Sequence, residues 1–450
     1  MMYLGNEISM DGQIFDERPQ TRTKYKALGI HHLNQIADIG CLSKDQIQTI
    51  RIVGQVFPFR TNDYVLTELI DWGKIPDDPI FRLVFPQRDM LTEEDFMSMA
   101  RLVKGDAPQS EIERLRHDIQ SRLNPHPAGQ RELNIPTEES LPIDGLQHKY
   151  RETVLFFPSR GQTCHAYCTF CFRWAQFTGN KELKIASKDA DTIRMYLARN
   201  KQLTDLLVTG GDPMVMKTRA LERYLHPILQ DSSLDHIVNI RIGTKALSFW
   251  PHRFIHGTDA DDLMRLFEDI IQTGRSLAIM SHFNHPRELA TDSARQAIQR
   301  IRNTGAVIRT QSPLLNHINN HEDIWAALWN QQVQLGLIPY YMFVERDTGA
   351  RHYFELPLAK CVEIYQKSVR QVSGLARTVR GPSMSATPGK VEISGIETVA
   401  NERVFVLRFL QGRDPSWVGR PFFAKYNPQA TLVDHLKTAF GQSSFFFEEG

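Results

Sequence analysis

From Thr153 onward the chain alternates short apolar runs with amphipathic helical stretches, and this alternation limits the fold more than any other feature. The runs are TVLFF, TDLLVTGG, HIVNIRIGT, SLAIMSHF, AVIRTQS, LIPYYMFV and LARTVR. Between them lie DADTIRMYLARN, DDLMRLFEDIIQTG, SARQAIQRIRNTG, DIWAALWNQQVQLG and AKCVEIYQKSVRQVSG. Several of these close on Gly, as helix C-termini often do. Strand, helix, strand at this spacing means a parallel sheet with right-handed crossovers. About six such units fall short of the eight of a closed barrel. The expected fold is therefore α/β, an open, partial parallel β/α barrel of about six units, with a doubly wound sheet as the alternative.

The flanks read differently. Residues 1–145 are expected to form a mostly helical N-terminal region and linker. Ser43 opens one helix and Thr92, followed by acids, opens another. SEIERLRHDIQSRL is a third, and the Pro-rich stretch after it reads as a linker. Residues 146–398 make the barrel. Residues 399–450 make a short α+β extension, with a strand at ERVFVLRFLQG and a helix near TLVDHLKTAFG. The tail SSFFFEEG is expected to pack on a neighbour or to fray.

Composition removes several function classes. A formal net charge of +1 gives no bulk field for nucleic acid or an anionic membrane. No apolar run approaches the ~20 residues of a membrane-spanning helix, and the first residues carry acids and no apolar signal core. A cytoplasmic protein is the expectation. Five cysteines form no disulfide framework and point to free thiols or metal ligands. Cys41 and Cys361 stand alone in apolar surroundings and read as small buried hydrophobes.

The other three, Cys164, Cys168 and Cys171, lie together in SRGQTCHAYCTFCFRW. They follow the first barrel strand, at the end where active sites of parallel α/β folds sit. Structural zinc wants four closed ligands. No second Cys-x2-Cys is present, and His165 is awkwardly adjacent to Cys164. A redox pair would not need the third thiol. Three thiolates fit three corners of a [4Fe–4S] cluster and leave the fourth iron open. A zinc-supported binding protein is the competing reading from another class.

Cys-x3-Cys-x2-Cys with an aromatic before the last cysteine, here Phe170, resembles the radical S-adenosylmethionine superfamily. From about Gly145 to Lys390 the chain more closely resembles the lysine 2,3-aminomutase family. GLQHKY, the cysteine loop, LLVTGGDPM, IRIGTKALSFWPHRF, SHFNHPREL, TQSPLLNHIN, PYYMFV and PGK follow the family's order. The resemblance implies that the open iron binds S-adenosylmethionine and that the cluster's electron releases a 5′-deoxyadenosyl radical. It implies that this radical moves an α-amino group to the β-carbon of an amino acid held on pyridoxal phosphate.

It also implies site residues. Cys164, Cys168 and Cys171 hold the cluster. Gly210, Gly211 and Asp212 of the TGGDP turn, His282 and Gln311 bind S-adenosylmethionine. Lys390 carries pyridoxal phosphate covalently, after a run with one glycine where the family usually has several. Lys149 and Tyr150 hold its phosphate, Lys149 and Thr153 standing where the family tends to have Arg. Arg173 grips the substrate carboxylate, as a guanidinium fork suits.

At the two positions where lysine-using members place aspartates stand Arg346 and Ser383. A buried ammonium without a carboxylate partner is costly. An acidic or neutral amino acid is therefore favoured over lysine, although a one-residue slip would bring Asp347 into the first position. A radical enzyme of this family acting on a peptide or protein, or one working without pyridoxal phosphate, would also fit the motifs. The implied partners are a small-molecule amino acid and a flavodoxin- or ferredoxin-like reductant, and a second copy of the chain is a further candidate; nucleic acid and membrane are not among them.

Overall fold

A computed structural model describes residues 24–40, 42–180 and 183–448. Cys41 lies outside these. The architecture is mixed α/β, built on an 11-stranded sheet whose order follows the chain. Its strands are β1 (Leu146–Tyr150), β2 (Thr153–Phe156), β3 (Asp205–Val208), β4 (Asn239–Thr244), β5 (Ser276–His282), β6 (Val307–Leu314), β7 (Ile338–Val344), β8 (Arg380–Ser385), β9 (Gly389–Val399), β10 (Glu402–Gly412) and β11 (Pro421–Lys425). Every pairing from β2 through β8 is parallel, and β1 and β9–β11 are antiparallel to their neighbours.

The three longest helices before the sheet are α1 (Lys44–Val53), α2 (Glu93–Lys104) and α3 (Gln109–Arg122). The Ser43 hydroxyl accepts from Gln46 N at 3.2 Å while Gln46 accepts from Ser43 N at 2.8 Å, a reciprocal cap. The crossovers are α4 (Ala190–Arg199), α5 (Thr218–Leu229), α6 (Ala260–Gln272), α7 (Asp292–Asn303), α8 (Glu322–Gln334) and α9 (Leu358–Arg370). Their apolar stripes, such as Leu263, Phe267 and Ile270 of α6, pack on alternate strand residues, Phe156, Val208, Ile242, Ile279, Met342 and Met384 among them. Cys361 on α9 is fully buried in this core. Period two then places Arg241, His282, Tyr341, Phe343, Ser383 and Lys390 on the opposite face.

A second core lies under the N-terminal helices. It joins Val53, Phe57, Val65, Phe81 and Phe85 to Ala166 and Phe170 of the cysteine loop.

Three expectations differ. LARTVR is not the seventh strand: Gly374–Ala376 form a 3₁₀ turn and the strand starts at Arg380, running through the Gly-Pro pair that reads as a breaker. The expected helix near TLVDHLKTAFG is a single 3₁₀ turn, Val433–His435. Its following residues instead donate and accept along β11, with Lys425 N on Lys437 O at 2.8 Å and a bridge between Ala424 and Thr438. GLQHKY is itself a strand rather than a lead-in. The aromatic tail packs: Phe445 and Phe447 lie against Phe422, their ring centroids 5.6 and 5.4 Å from it.

Candidate active site

The cysteine loop leaves β2 at Phe157 and is stitched to the turn after β3. Asp212 N donates to Gly161 O at 3.0 Å and to Thr163 O at 2.8 Å. This approach requires glycine at 211, where a Cβ would stand 2.5 Å from the Thr163 backbone N and O. Gly210, at φ +145, would likewise press a Cβ into the Gln162 amide. Asp212 is buried and caps its own turn, accepting from Met214 N at 2.9 Å, Lys245 N at 2.9 Å and Thr244 Oγ1 at 2.7 Å. Burial still pushes its carboxyl up to about 6.

Within the loop, Cys171 N donates to Cys168 O at 3.1 Å. The three thiols are half-buried and lie close enough to repel one another as thiolates. Burial pushes all three up, Cys171 to about 11, so a positive iron centre is the partner that would hold them deprotonated. Among the described residues no three His, Cys, Asp or Glu side chains converge on one point as the ligands of a single ion would. Thiolates on a cube each take a different iron and need not converge.

His282 and Gln311 stand side by side, paired in register across β5 and β6. The His282 ring lies 5.6 Å from that of Phe170 in the cysteine loop. Its Nε2 is buried with no hydrogen-bond partner, which a buried nitrogen rarely is, so it offers a bond to a bound group. Burial beside Lys245 holds the imidazole neutral.

Lys390 opens β9 opposite Ser385. Its Nζ lies 4.1 Å from the Tyr341 ring centroid and 5.6 Å from that of Phe343. Burial first, then the charges of Arg241, Arg346, Lys149 and Arg380, hold its amine well below the ordinary lysine range. A neutral amine in an apolar and cationic pocket is a nucleophile. Lys149 donates to Ala386 O in the loop leading to Lys390, and burial with Arg346 and Arg413 lowers it to about 7. Tyr150 meets Ser385 at the end of β8, and burial raises its phenol to about 12. These residues form a cradle with more cations than acids, suited to a phosphate.

Arg173 donates to Thr209 Oγ1 at 2.9 Å and to Gly210 O at 3.1 Å. Its guanidinium and that of Arg346 both lean on Phe172, 5.1 and 4.2 Å from the ring centroid. Neither makes an ion pair among the described residues, and each is lowered by burial, Arg173 to about 10. Asp347 is exposed, held by Arg351 at 2.7 Å and by Asn124, away from this pair. Ser383 is buried in β8, its hydroxyl 3.5 Å from Met342 O. Three features gave no sequence signal. Glu345 is buried and pushed up to about 8. Arg413 bonds Thr387 O at 2.8 Å. Lys245 pairs with the fully buried Glu288 at 2.7 Å.

A putative L-lysine 2,3-aminomutase of Aquifex aeolicus is 30% identical to this chain over 394 residues, 87% of this chain and 91% of its own length. The chain belongs to the lysine 2,3-aminomutase family of radical S-adenosylmethionine enzymes. The L-lysine 2,3-aminomutase of Bacillus subtilis is 28% identical over 53% of this chain and 47% of its own. That of Escherichia coli is 29% identical over 56% and 70%. No protein-family model matches. Among solved structures, a radical SAM methyltransferase from Sphaerobacter thermophilus matches at 13% identity over 66% of this chain and 94% of its own, with a TM-score of 0.35, too slight a likeness to carry argument. Membership of the family implies a [4Fe–4S] cluster and S-adenosylmethionine.

Proposed function

We propose that the chain is a pyridoxal-phosphate-dependent amino acid 2,3-aminomutase acting on an acidic or neutral amino acid. When bound, the cluster with S-adenosylmethionine supplies a hydrogen-abstracting radical, and pyridoxal phosphate carries the amine between the α- and β-carbons. This chain's residues do the rest. Cys164, Cys168 and Cys171 hold the cluster. The Gly210–Asp212 turn, His282 and Gln311 hold the sulfonium cofactor. Lys390, depressed by burial and by its cationic neighbours, attaches pyridoxal phosphate, whose phosphate Lys149 and Tyr150 receive.

The observation that carries the substrate reading is the pair of guanidiniums, Arg173 and Arg346, on one phenylalanine ring with no ion pair to a carboxylate among the described residues. Two such cations suit a substrate with two carboxylates. L-lysine is the second reading. It is supported by the names of the relatives and by Glu345, an acid beside Arg346.

The site would sit at the carboxyl ends of a partial barrel spanning 146–398, with 1–145 and 399–450 flanking it and the second boundary near the β9–β10 turn. The reducing cytoplasm would keep its thiols available.

The test is anaerobic turnover of single amino acids with both cofactors and a low-potential reductant. Glutamate should yield its β-isomer, 3-aminopentanedioate. Arg346→Gln should lower kcat/KM by about tenfold or more, the worth of a hydrogen bond to a charged group. Efficient conversion of lysine with none of glutamate would overturn the acidic reading.

A further inference from the structure

The loop that carries the three cysteines is held largely from outside the sheet, by a segment with no cysteine and no cofactor motif. Thr61 and Asn62 pair with Ala27 and Leu28 in a two-stranded ribbon. This ribbon fixes three side chains against the loop. Tyr25 Oη donates to His165 O at 2.8 Å. Asn62, fully buried, donates from Nδ2 to the same carbonyl at 3.1 Å and to Phe249 O at 3.0 Å, while its Oδ1 accepts from Val65 N. Arg60 reaches furthest: its Nη1 donates to Thr163 Oγ1 at 2.5 Å and to Cys164 O at 3.3 Å. The Arg60 guanidinium also lies 4.9 Å from the centroid of Tyr167, whose amide donates to Arg60 O at 2.9 Å and whose hydroxyl meets Thr163 Oγ1 at 2.9 Å.

One residue therefore grips the loop on both sides of its first cysteine. Around Cys164, Asp212 and, as thiolates, the other two cysteines carry negative charge, and Arg60 is positive. Reduction of a cluster adds one electron from a low-potential donor. A fixed cation nearby stabilises the reduced form more than the oxidised one, and protein charges and hydrogen bonds are known levers on cluster potential.

We propose that Arg60 is a positioning residue for the cysteine loop, holding Thr163 and Cys164 in place for the cluster and making that cluster easier to reduce. The inference rests on the assignment of Cys164, Cys168 and Cys171 as cluster ligands, and it gives the N-terminal region a part in the chemistry.

Two variants of the full chain separate clamp from charge. Arg60→Gln removes the charge, and Arg60→Lys keeps it without the fork. The first measurement is amide hydrogen exchange over residues 161–171 and 209–214 before iron and sulfide are supplied. Both variants should exchange about tenfold faster there, the loss expected for a charge-assisted hydrogen bond, with α6 and α9 unchanged. The second is the cluster's midpoint potential after reconstitution. Arg60→Gln should move it to more negative values and Arg60→Lys should restore it.

Wild-type exchange in both variants, or a potential equal in Arg60→Gln and wild type, overturns the proposal. Exchange raised throughout the chain in both also overturns it, because Arg60 would then be a general stability residue. If the wild type takes up no iron and sulfide, the ligand assignment is what has failed; the exchange measurement, which needs no cluster, still reads the clamp.

Discussion

Glu288 offers the sharpest test of how this site is held. Its carboxylate is fully buried and makes four bonds. Oε1 accepts from Asn284 N at 2.8 Å and His285 N at 3.0 Å; Oε2 accepts from Lys245 Nζ at 2.7 Å and from Ser248 Oγ. Lys245 is 10% exposed and also donates to Asn284 Oδ1 at 2.9 Å. Glu288→Gln keeps the acceptor for the two amides but turns an NH₂ toward Lys245 and Ser248 and leaves the ammonium without its counter-charge. Breaking a buried pair by removing one partner costs about 3–5 kcal/mol. Asn284 still serves Lys245, so the lower end, about 3 kcal/mol, is expected. At an unfolding entropy of about 2.1 cal/mol/K per residue, 450 residues give about 1 kcal/mol per degree, and Tm should fall by about 3 °C. Scanning calorimetry reads this directly. The double variant Lys245→Met, Glu288→Gln leaves neither charge alone and should recover most of the loss. A fall below about 1 °C in the single variant, or a double variant as poor as the single, would refute the view that this pair is an energetic unit.

Three further outcomes follow from the geometry. Gly211→Ala puts a methyl 2.5 Å from the Thr163 backbone, so the cysteine loop must move; bound iron should drop by more than half while helix content by circular dichroism stays near wild type. Lys390→Ala should abolish the absorbance band that pyridoxal phosphate gives with wild type, and borohydride reduction followed by peptide mass analysis should place the adduct on Lys390 and nowhere else. Lys149 supplies a pH test. Its amine is lowered to about 7, so above pH 7 the free protein must take up a proton to offer phosphate a cation. Affinity for pyridoxal phosphate should therefore fall by up to about tenfold per pH unit above 7, affinity for pyridoxal should not show that added fall, and Lys149→Arg should flatten the difference.

The chain announces much of this in advance, and where it is silent the reason is physical. The crossover helices are legible because each must bury one stripe on a sheet, which imposes a 3.6-residue period on its apolar positions. The helix Thr218–Leu229 hides because Pro227 sits in its last turn. The strand Arg380–Ser385 hides because Gly381 and Pro382 look like a turn, whereas two neighbouring strands hold them extended. The cysteines are legible because all three stand within eight residues of one another. Arg60 is not, because it reaches the site across 103 residues of chain, to Thr163, and no local pattern records such a contact. Glu288 is a middle case: SHFNHPREL is recognisable, but the ion pair with Lys245 appears only when β4 and β5 lie side by side.

The charge balance of the site ties these residues together. Lys149, Arg173, Arg346, Arg380, Lys390 and Arg413 are gathered on or beside one face of the sheet, and four cations depress Lys390. Of the acids beside them, Asp434 acts on Lys149 and is itself raised by burial, and burial pushes Glu345 to about 8, so that it holds its proton at neutral pH. Like charges at this density repel strongly in a partly dry pocket, and a fold tolerates them where something else supplies the compensation. A phosphate and one or two carboxylates would supply it, and they would do so at the end of the sheet where Lys390, His282 and the cysteine loop converge. Burial, reinforced by the same repulsion, holds the Lys390 amine below the ordinary lysine range and leaves it reactive. Electrostatic strain and chemical competence are thus one property of this site, and replacing any of these cations by a neutral residue should ease the first only by weakening the second.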